Sequence, residues 1–262
     1  MTGASKNTII SLLVRLGAVC AAYQNDHMRN LHCKRIQCDE IWSFCCAKEK
    51  NLSPEKQDIF GYGDVWTWTA ICADTKLVSS FMVGNRDLAT ARVFISDLSS
   101  RLAERVQLTT DGHKAYLQAV EEAFGPDIDY AMLEKIYGKP DDGERRYSPA
   151  QCIGTETIVI KGKPDLSKVS TSYVERENLT IRMSMRRFTR LTNAFSKKVE
   201  NLIAAVSLHF MYYNYCRPHT TLTKARKGYL ITPAMAAGIL DHVWSIKEII
   251  ALEDESNKKS GD

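Results

Sequence analysis

Three β-rich segments in succession, followed by strictly alternating helical and strand-like ones, restrict what this chain can fold into more than any other feature. Arg35–Ala47, Val65–Asp74 and Leu77–Gly84 are dense in β-branched and aromatic residues. Asp74-Thr75-Lys76 is short and polar enough to be a tight turn between the last two, so the three predict an antiparallel meander. A helix is expected over Ala89–Glu104, with Val93, Phe94, Leu98 and Leu102 on one side. A short strand Arg105–Thr110 ends at Asp111, a second helix covers Lys114–Phe124, and Tyr130–Tyr137 reads as a further strand.

The order βββαβαβ followed by helix places three antiparallel strands before parallel crossovers. That is an α/β chain of ribonuclease H-like topology, a mixed sheet flanked by helices. We expect the catalytic domain to span residues 31–195, with an irregular, Pro/Gly-punctuated insertion at 138–171 that carries a hairpin at Glu156–Lys161. Helices are expected at Ser172–Leu191 and Ser196–Tyr215, the latter burying Val199, Leu202, Ile203, Val206 and Phe210. Residues 196–252 then form a helical C-terminal tail, and Glu253–Asp262 a disordered end.

Residues 1–30 hold an amphipathic helix. Ile9, Leu12, Leu13 and Leu16 fall at i, i+3, i+4 and i+7, Ser5 is its N-cap, and Gly17 is expected to stop it. Thr2-Gly3-Ala4-Ser5 resembles the turn of a helix-turn-helix, with Lys6, Asn7, Ser11 and Arg15 as the DNA-facing side of its second helix. The segment is either such a partial, truncated helix-turn-helix or a helix packed on the core. Lys6 before an apolar run, and Ala18-Val19-Cys20-Ala21-Ala22 after it, also resemble a signal peptide, but Arg15 interrupts the run below the roughly 7–15 residues required. We therefore expect a cytoplasmic, nucleoid-associated protein with no membrane partner.

Charge is uneven. Val174–Lys198 holds seven Lys/Arg and two Glu, which is +5 of a chain total of +4, leaving −1 elsewhere. Such a stripe is either a phosphate-binding surface or a solvated helix face. The eight cysteines contain no C-x-x-C pair and no zinc-ligand spacing, and read as reduced and mostly buried.

Asp39 lies in mid-strand, and Asp111 at the carboxyl end of the strand after the first crossover helix, where ligands of open α/β sheets bind. Successive strand residues point to opposite faces, so of Asp39 and Glu40 we select Asp39. Glu175, near the start of the helix Ser172–Leu191, supplies a third acid. Seven residues at about 100° each return Arg182 to within ~20° of it, so Glu175, Asn178, Arg182 and Arg186 share a face. Three carboxylates suit two hard cations about 3.5–4 Å apart, Mg²⁺ or Mn²⁺, that activate an attacking oxygen and stabilise a leaving one. Taken singly, each acid is as well explained as a turn former, a cap or a helix-dipole partner; the joint placement is what points to chemistry. His113 is close enough in sequence to approach the metals, but it is better explained as a surface or supporting histidine.

Three strings then resemble the acidic motifs of the IS-one family of bacterial insertion-sequence transposases: Cys38-Asp39-Glu40-Ile41-Trp42-Ser43, Thr109-Thr110-Asp111-Gly112-His113-Lys114-Ala115-Tyr116, and Tyr173-Val174-Glu175-Arg176-Glu177-Asn178-Leu179-Thr180-Ile181-Arg182. Arg186 to Lys197 resembles the segment that follows the family's glutamate, and Asn214, Arg217-Pro218-His219 and Thr232-Pro233 the tail of many transposases and integrases. The resemblance implies DDE chemistry at Asp39, Asp111 and Glu175 with two Mg²⁺ or Mn²⁺ ions, and DNA contacts from Asn178, Arg182, Arg186, Arg187, Arg190, Lys6 and Arg15. It also implies double-stranded DNA with terminal inverted repeats, a target DNA, and a homo-oligomer as partners. Relatives carry a zinc-binding finger and a complete helix-turn-helix that are not seen here. A non-transposing DNA-binding relic or regulator, or a nuclease without strand transfer, are the alternative readings.

Overall fold

The computed structural model describes residues 3–138, 152–189 and 193–259. β1 (Arg35–Cys45), β2 (Gly63–Cys72) and β3 (Val78–Gly84) form the expected antiparallel meander. β1 then pairs in parallel with β4 (Gln107–Asp111), and β4 in parallel with β5 (Asp129–Tyr137). The spatial order β3-β2-β1-β4-β5-β6 makes this an α/β, ribonuclease H-like mixed sheet. The β2–β3 turn closes with Lys76 in the left-handed region, at φ 60°.

Both faces of the sheet are covered, which is why its central strands are apolar on both sides. α2 (Leu88–Arg101) and α3 (Ala115–Phe124) bury Phe94, Leu98, Tyr116 and Val120 against Trp68 and Leu108 on one face. On the other, α4 (Ser172–Ser184) and α5 (Val199–Met211) pack Val174, Ile181, Leu202 and Phe210 against Ile41, Val65 and Val78. The Asp87 carboxylate caps α2 by accepting from Thr90 N at 2.8 Å.

Several expectations need correction. Gly17 does not stop the first helix; α1 runs from Lys6 to His27. A Cβ on Gly17 would lie 2.5 Å from the Cα of Ala204, so the glycine lets α1 cross α5 at backbone distance. The 22-residue α1 is long and apolar enough to cross a membrane by composition alone; here Leu16, Gly17 and Cys20 are buried against the protein. Glu156–Lys161 is not a hairpin but part of a single strand, β6 (Cys152–Lys161), antiparallel to β5 from Tyr137↔Cys152 to Tyr130↔Lys161. The stretch expected to be irregular therefore extends the main sheet. α4 ends at Ser184 rather than Leu191, and a 3₁₀ turn, Arg186–Phe188, follows it. Where disorder was expected from Glu253, α8 (Ile246–Lys259) continues, with Ile249 and Leu252 buried. Thr2, Arg190 and Leu191, positions 139–151 of the expected insertion and 260–262 lie outside the described residues.

The tail motif acquires a physical role. α5 ends in a π turn, Tyr212–Cys216, that aims Asn214 at the start of β3. Its Oδ1 accepts from Val78 N at 3.0 Å and its Nδ2 donates to Val78 O at 3.0 Å. A side-chain amide thus satisfies both backbone groups of one strand residue in a fully buried place, where leaving either unpaired would cost about 1–3 kcal/mol. Tyr213 adds a bond from its hydroxyl to Lys76 O at 3.1 Å. The short helices α6 (Thr220–Ala225) and α7 (Pro233–Ala236) follow.

Candidate metal and nucleic-acid site

The last register pair between β1 and β4 is Cys38↔Thr110, and β4 ends one residue later at Asp111. β1 runs on to Cys45, so among the described residues its edge beyond Asp111 has no paired strand until Ser196 bridges Cys45. Asp39 borders that gap from the face covered by α4. Gln37, two residues earlier on the same face, fixes the helix: its Oε1 accepts from Tyr173 N at 2.8 Å and Val174 N at 3.2 Å, satisfying two of the free N–H groups of the first turn. With α4 so anchored, Asn178 Nδ2 donates to Asp39 Oδ2 at 2.8 Å and Glu175 reaches the same opening. Asp39, Asp111 and Glu175 line one cleft of about 680 Å³, together with Arg86, His113 and Lys135.

The three acids are not equivalent. Asp111 Oδ1 accepts from His113 N at 3.0 Å, and Asp39 Oδ1 from Glu40 N at 2.8 Å. Glu175 stands at the rim, its Oε1 held by Lys135 Nζ at 2.6 Å and by the Thr171 hydroxyl. The carboxylate that joins Asp39 and Asp111 in a tight cluster is Glu40, one ligand oxygen from each of the three lying within 4.8 Å of the others. Strand parity does send Asp39 and Glu40 to opposite faces. Both nonetheless reach Asp111, because each flanks the gap left where β4 stops.

Glu40 is also incompletely satisfied. Its Oε2 accepts from Arg86 Nε at 3.1 Å, while its buried Oε1 has no well-aligned hydrogen bond, the buried Tyr116 hydroxyl standing near enough to favour the charged carboxylate. The Arg86 guanidinium lies 4.9 Å over the Trp66 ring and its Nη2 is 3.6 Å from Asp111 Oδ2, so one cation serves two carboxylates. Burial, and then the neighbouring charge of Asp111, push Asp39 up to about 6 and Glu40 up to about 7. Burial and the nearby Arg86 lower the pKa of His113, which keeps the ring neutral near pH 7. An all-oxygen cluster with an incompletely satisfied, buried oxygen and too little compensating charge fits a hard divalent cation, which takes carboxylate oxygens and lowers their pKa values together.

The expected DNA-facing cations are scattered. Arg182 Nη1 donates to Phe188 O at 3.0 Å, bracing the turn after α4. Arg186 and Arg187 sit on that turn instead of on α4, so the shared face with Glu175 stops at Arg182. Arg187 Nη1 donates to Ser196 Oγ at 2.7 Å, and both arginines border an apolar cavity between α1, α5 and α8, away from the cleft. Arg15 pairs with Glu253 of α8 at 2.6 Å, and its side chain remains exposed. Lys6 is exposed at the start of α1. Arg190 lies outside the described residues. Gln37, Glu40, Arg86 and Lys135 escaped the sequence reading, and only Glu40 left a local signal, as the acid adjoining Asp39.

No known family profile matches the chain, and no characterised protein matches it by sequence. Among solved structures, the chain is similar to a piggyBac transposase, in its cryo-EM synaptic complex with hairpin DNA, at 9% identity and a TM-score of 0.33, over 87% of this chain and 54% of that one. The chain therefore spans about half the length of that transposase.

Proposed function

We propose that the chain is a DDE-type DNA transposase core of the IS-one kind, cutting DNA at the ends of an insertion element and joining the freed 3′-hydroxyl to target DNA. The observation that carries this is the meeting of Asp39, Glu40 and Asp111 at the open end of β4, with Glu175 on the same cleft. The site residues of the reading are Asp39, Asp111 and Glu175, and Glu40 joins them as a fourth carboxylate.

These acids would hold two Mg²⁺ or Mn²⁺ ions, which when bound would supply Lewis acidity for activating an attacking oxygen and stabilising a leaving one. The chain's own residues prepare the place. Asn178 fixes the orientation of Asp39, the His113 amide that of Asp111, and Arg86 shields the Glu40–Asp111 pair in the cation-free protein. Lys135 holds Glu175 at the rim of the cleft. The Lys135 and Lys114 ammonium groups line the same cleft and would attract phosphate oxygens there. Double-stranded element ends with inverted repeats, a target duplex and a second copy of the chain are the partners this reading entails, with the nucleoid as its place of action.

The test is an oligonucleotide assay with Mg²⁺ or Mn²⁺ on a duplex ending in the element's inverted repeat, comparing the wild type with Asp39→Ala, Asp111→Ala and Glu175→Ala. Cleavage followed by joining in the wild type, and neither in the variants, is expected. Cleavage retained in all three variants would overturn the site, and cleavage without joining would reduce the reading to a nuclease.

A further inference from the structure

On the flank of α4 away from the carboxylate cleft lies a second polar cavity, of about 260 Å³, for which the chemistry above has no use. Its cations come from three separate parts of the fold: Lys76 from the β2–β3 turn, Arg176 from α4, and Arg217 from the segment after the π turn, which also brings His219 to the wall. Arg176 and Arg217 are exposed, and neither forms an ion pair among the described residues. Lys76 is buried, with its Nζ 3.2 Å above the Tyr173 ring and donating to Ala73 O. It occupies the left-handed region at φ 60°, a conformation glycine or asparagine would adopt more cheaply.

His219 Nδ1 is buried beside these groups with no hydrogen-bond partner. Burial and the charges of Lys76 and Arg217 lower its pKa, so the ring is neutral near pH 7. The Thr220 and Thr221 side chains complete the wall. One acid opposes the cations: Glu177 is buried, its Oε1 lies 3.7 Å from His209 Nε2, and burial raises its pKa. Three full positive charges against one buried carboxylate leave a net attraction for an anion.

We propose that this cavity is a phosphate-binding site, distinct from the carboxylate cleft, that takes a backbone phosphate of a nucleic-acid strand crossing α4. The strand as source rests on the transposase reading, whereas the affinity for a phosphate group does not. An α-helix with its side chains is about 10–12 Å across, and a nucleic-acid strand spans that in about three phosphates at 3.4 Å of rise each. A strand with its reacting phosphate at the cleft and arching over α4 therefore meets the second cavity a few nucleotides along. The site also gives the Arg217-Pro218-His219 run a use.

The experiment uses the full chain with two probes, a duplex oligonucleotide read by fluorescence anisotropy over a range of salt, and inorganic phosphate read by isothermal titration. The variants are Arg217→Gln alone and Arg176→Gln with Arg217→Gln, both at exposed side chains, with thermal melting as the check on folding. Loss of this one phosphate contact lowers the slope of log K against log salt by about 0.9, so a partial fall is expected in the single variant and a fall of about 1 in the double variant, with Mn²⁺ binding at the cleft unchanged. Wild-type slopes in both variants would overturn the proposal. If the wild type binds no duplex, the transposase reading fails and the phosphate titration decides alone. Phosphate binding lost in the double variant then upholds the site for a free phosphate group, and equal binding, or none in either protein, overturns it.

Discussion

Asn178 on α4 donates from Nδ2 to Oδ2 of Asp39 on β1 at 2.8 Å, so the helix that carries Glu175 and the strand that carries Asp39 are joined at the site itself. Gln37 makes the same connection one turn earlier, through the amides of Tyr173 and Val174. A ligand oriented in this way loses about 10–100-fold in metal affinity when the orienting group is removed. Asn178→Ala should therefore weaken Mn²⁺ binding by that factor while costing only about 1 kcal/mol of stability. Calorimetric titration and denaturant melts separate the two. Loss of stability without loss of affinity would reduce Asn178 to a packing contact.

The raised carboxyl groups give the cation-free protein a definite pH dependence. Asp39 at about 6 and Glu40 at about 7 bind protons in the folded state that the unfolded chain releases near its ordinary carboxylate range. The native state thus holds more protons between about pH 4 and 7, and stability falls as pH rises through that window. The contribution is present below the unfolded values and lost above about 7. Thermal melts in EDTA should show a lower Tm at pH 8 than at pH 5.5 from these groups, and saturating Mg²⁺ should remove the difference. A Tm that rises over this window in a Glu40-dependent manner would contradict the assignment.

Gly17→Ala sets two effects against each other. Replacing a mid-helix glycine by alanine favours the helix by about 1 kcal/mol. The new Cβ would sit 2.5 Å from the Cα of Ala204, a backbone atom that cannot turn aside, and overpacking of this kind costs about 1–3 kcal/mol. The clash wins, so the variant should be less stable in urea by about 1 kcal/mol. A more stable variant would mean that α1 is free to move off α5.

Asn214→Asp keeps the shape of the side chain but replaces the donor facing Val78 O with an acceptor. Two buried hydrogen bonds become one, and two oxygens meet. We expect a loss of about 2–4 kcal/mol, read by denaturant unfolding, with Asn214→Ala losing a comparable amount because both Val78 backbone groups are orphaned.

Most of the sheet, and the two aspartates, could be read in the sequence because alternation and strand ends are local properties. Asp111 at the end of β4 and Asp39 on the α4 face of β1 needed only their own neighbours. Glu40 was set aside on the same local rule, which holds along β1; what brings it to the cluster is the register between β1 and β4, set by residues some seventy positions apart. Arg86 and Lys135 belong to the same class, reaching the cleft from a loop and a strand with no sequence pattern of their own. Gly17 is ambiguous in sequence because a helix stop and a close helix crossing are written with the same residue. Arg186 and Arg187 do not share the Glu175 face because α4 ends at Ser184, and helical periodicity does not extend past a helix end. Arg15 was legible as polar but not as the partner of Glu253, 238 residues away.

The central claim is that the carboxylates at the end of β4 hold divalent cations, and its most direct test is the titration of Mn²⁺ into the full chain, followed by isothermal calorimetry or electron paramagnetic resonance. Saturable binding is expected, which Asp111→Asn abolishes and which Asp39→Asn and Glu40→Gln each weaken by at least about tenfold. A wild-type protein that binds no Mn²⁺, or an Asp111→Asn variant that binds it as tightly as the wild type, would contradict it.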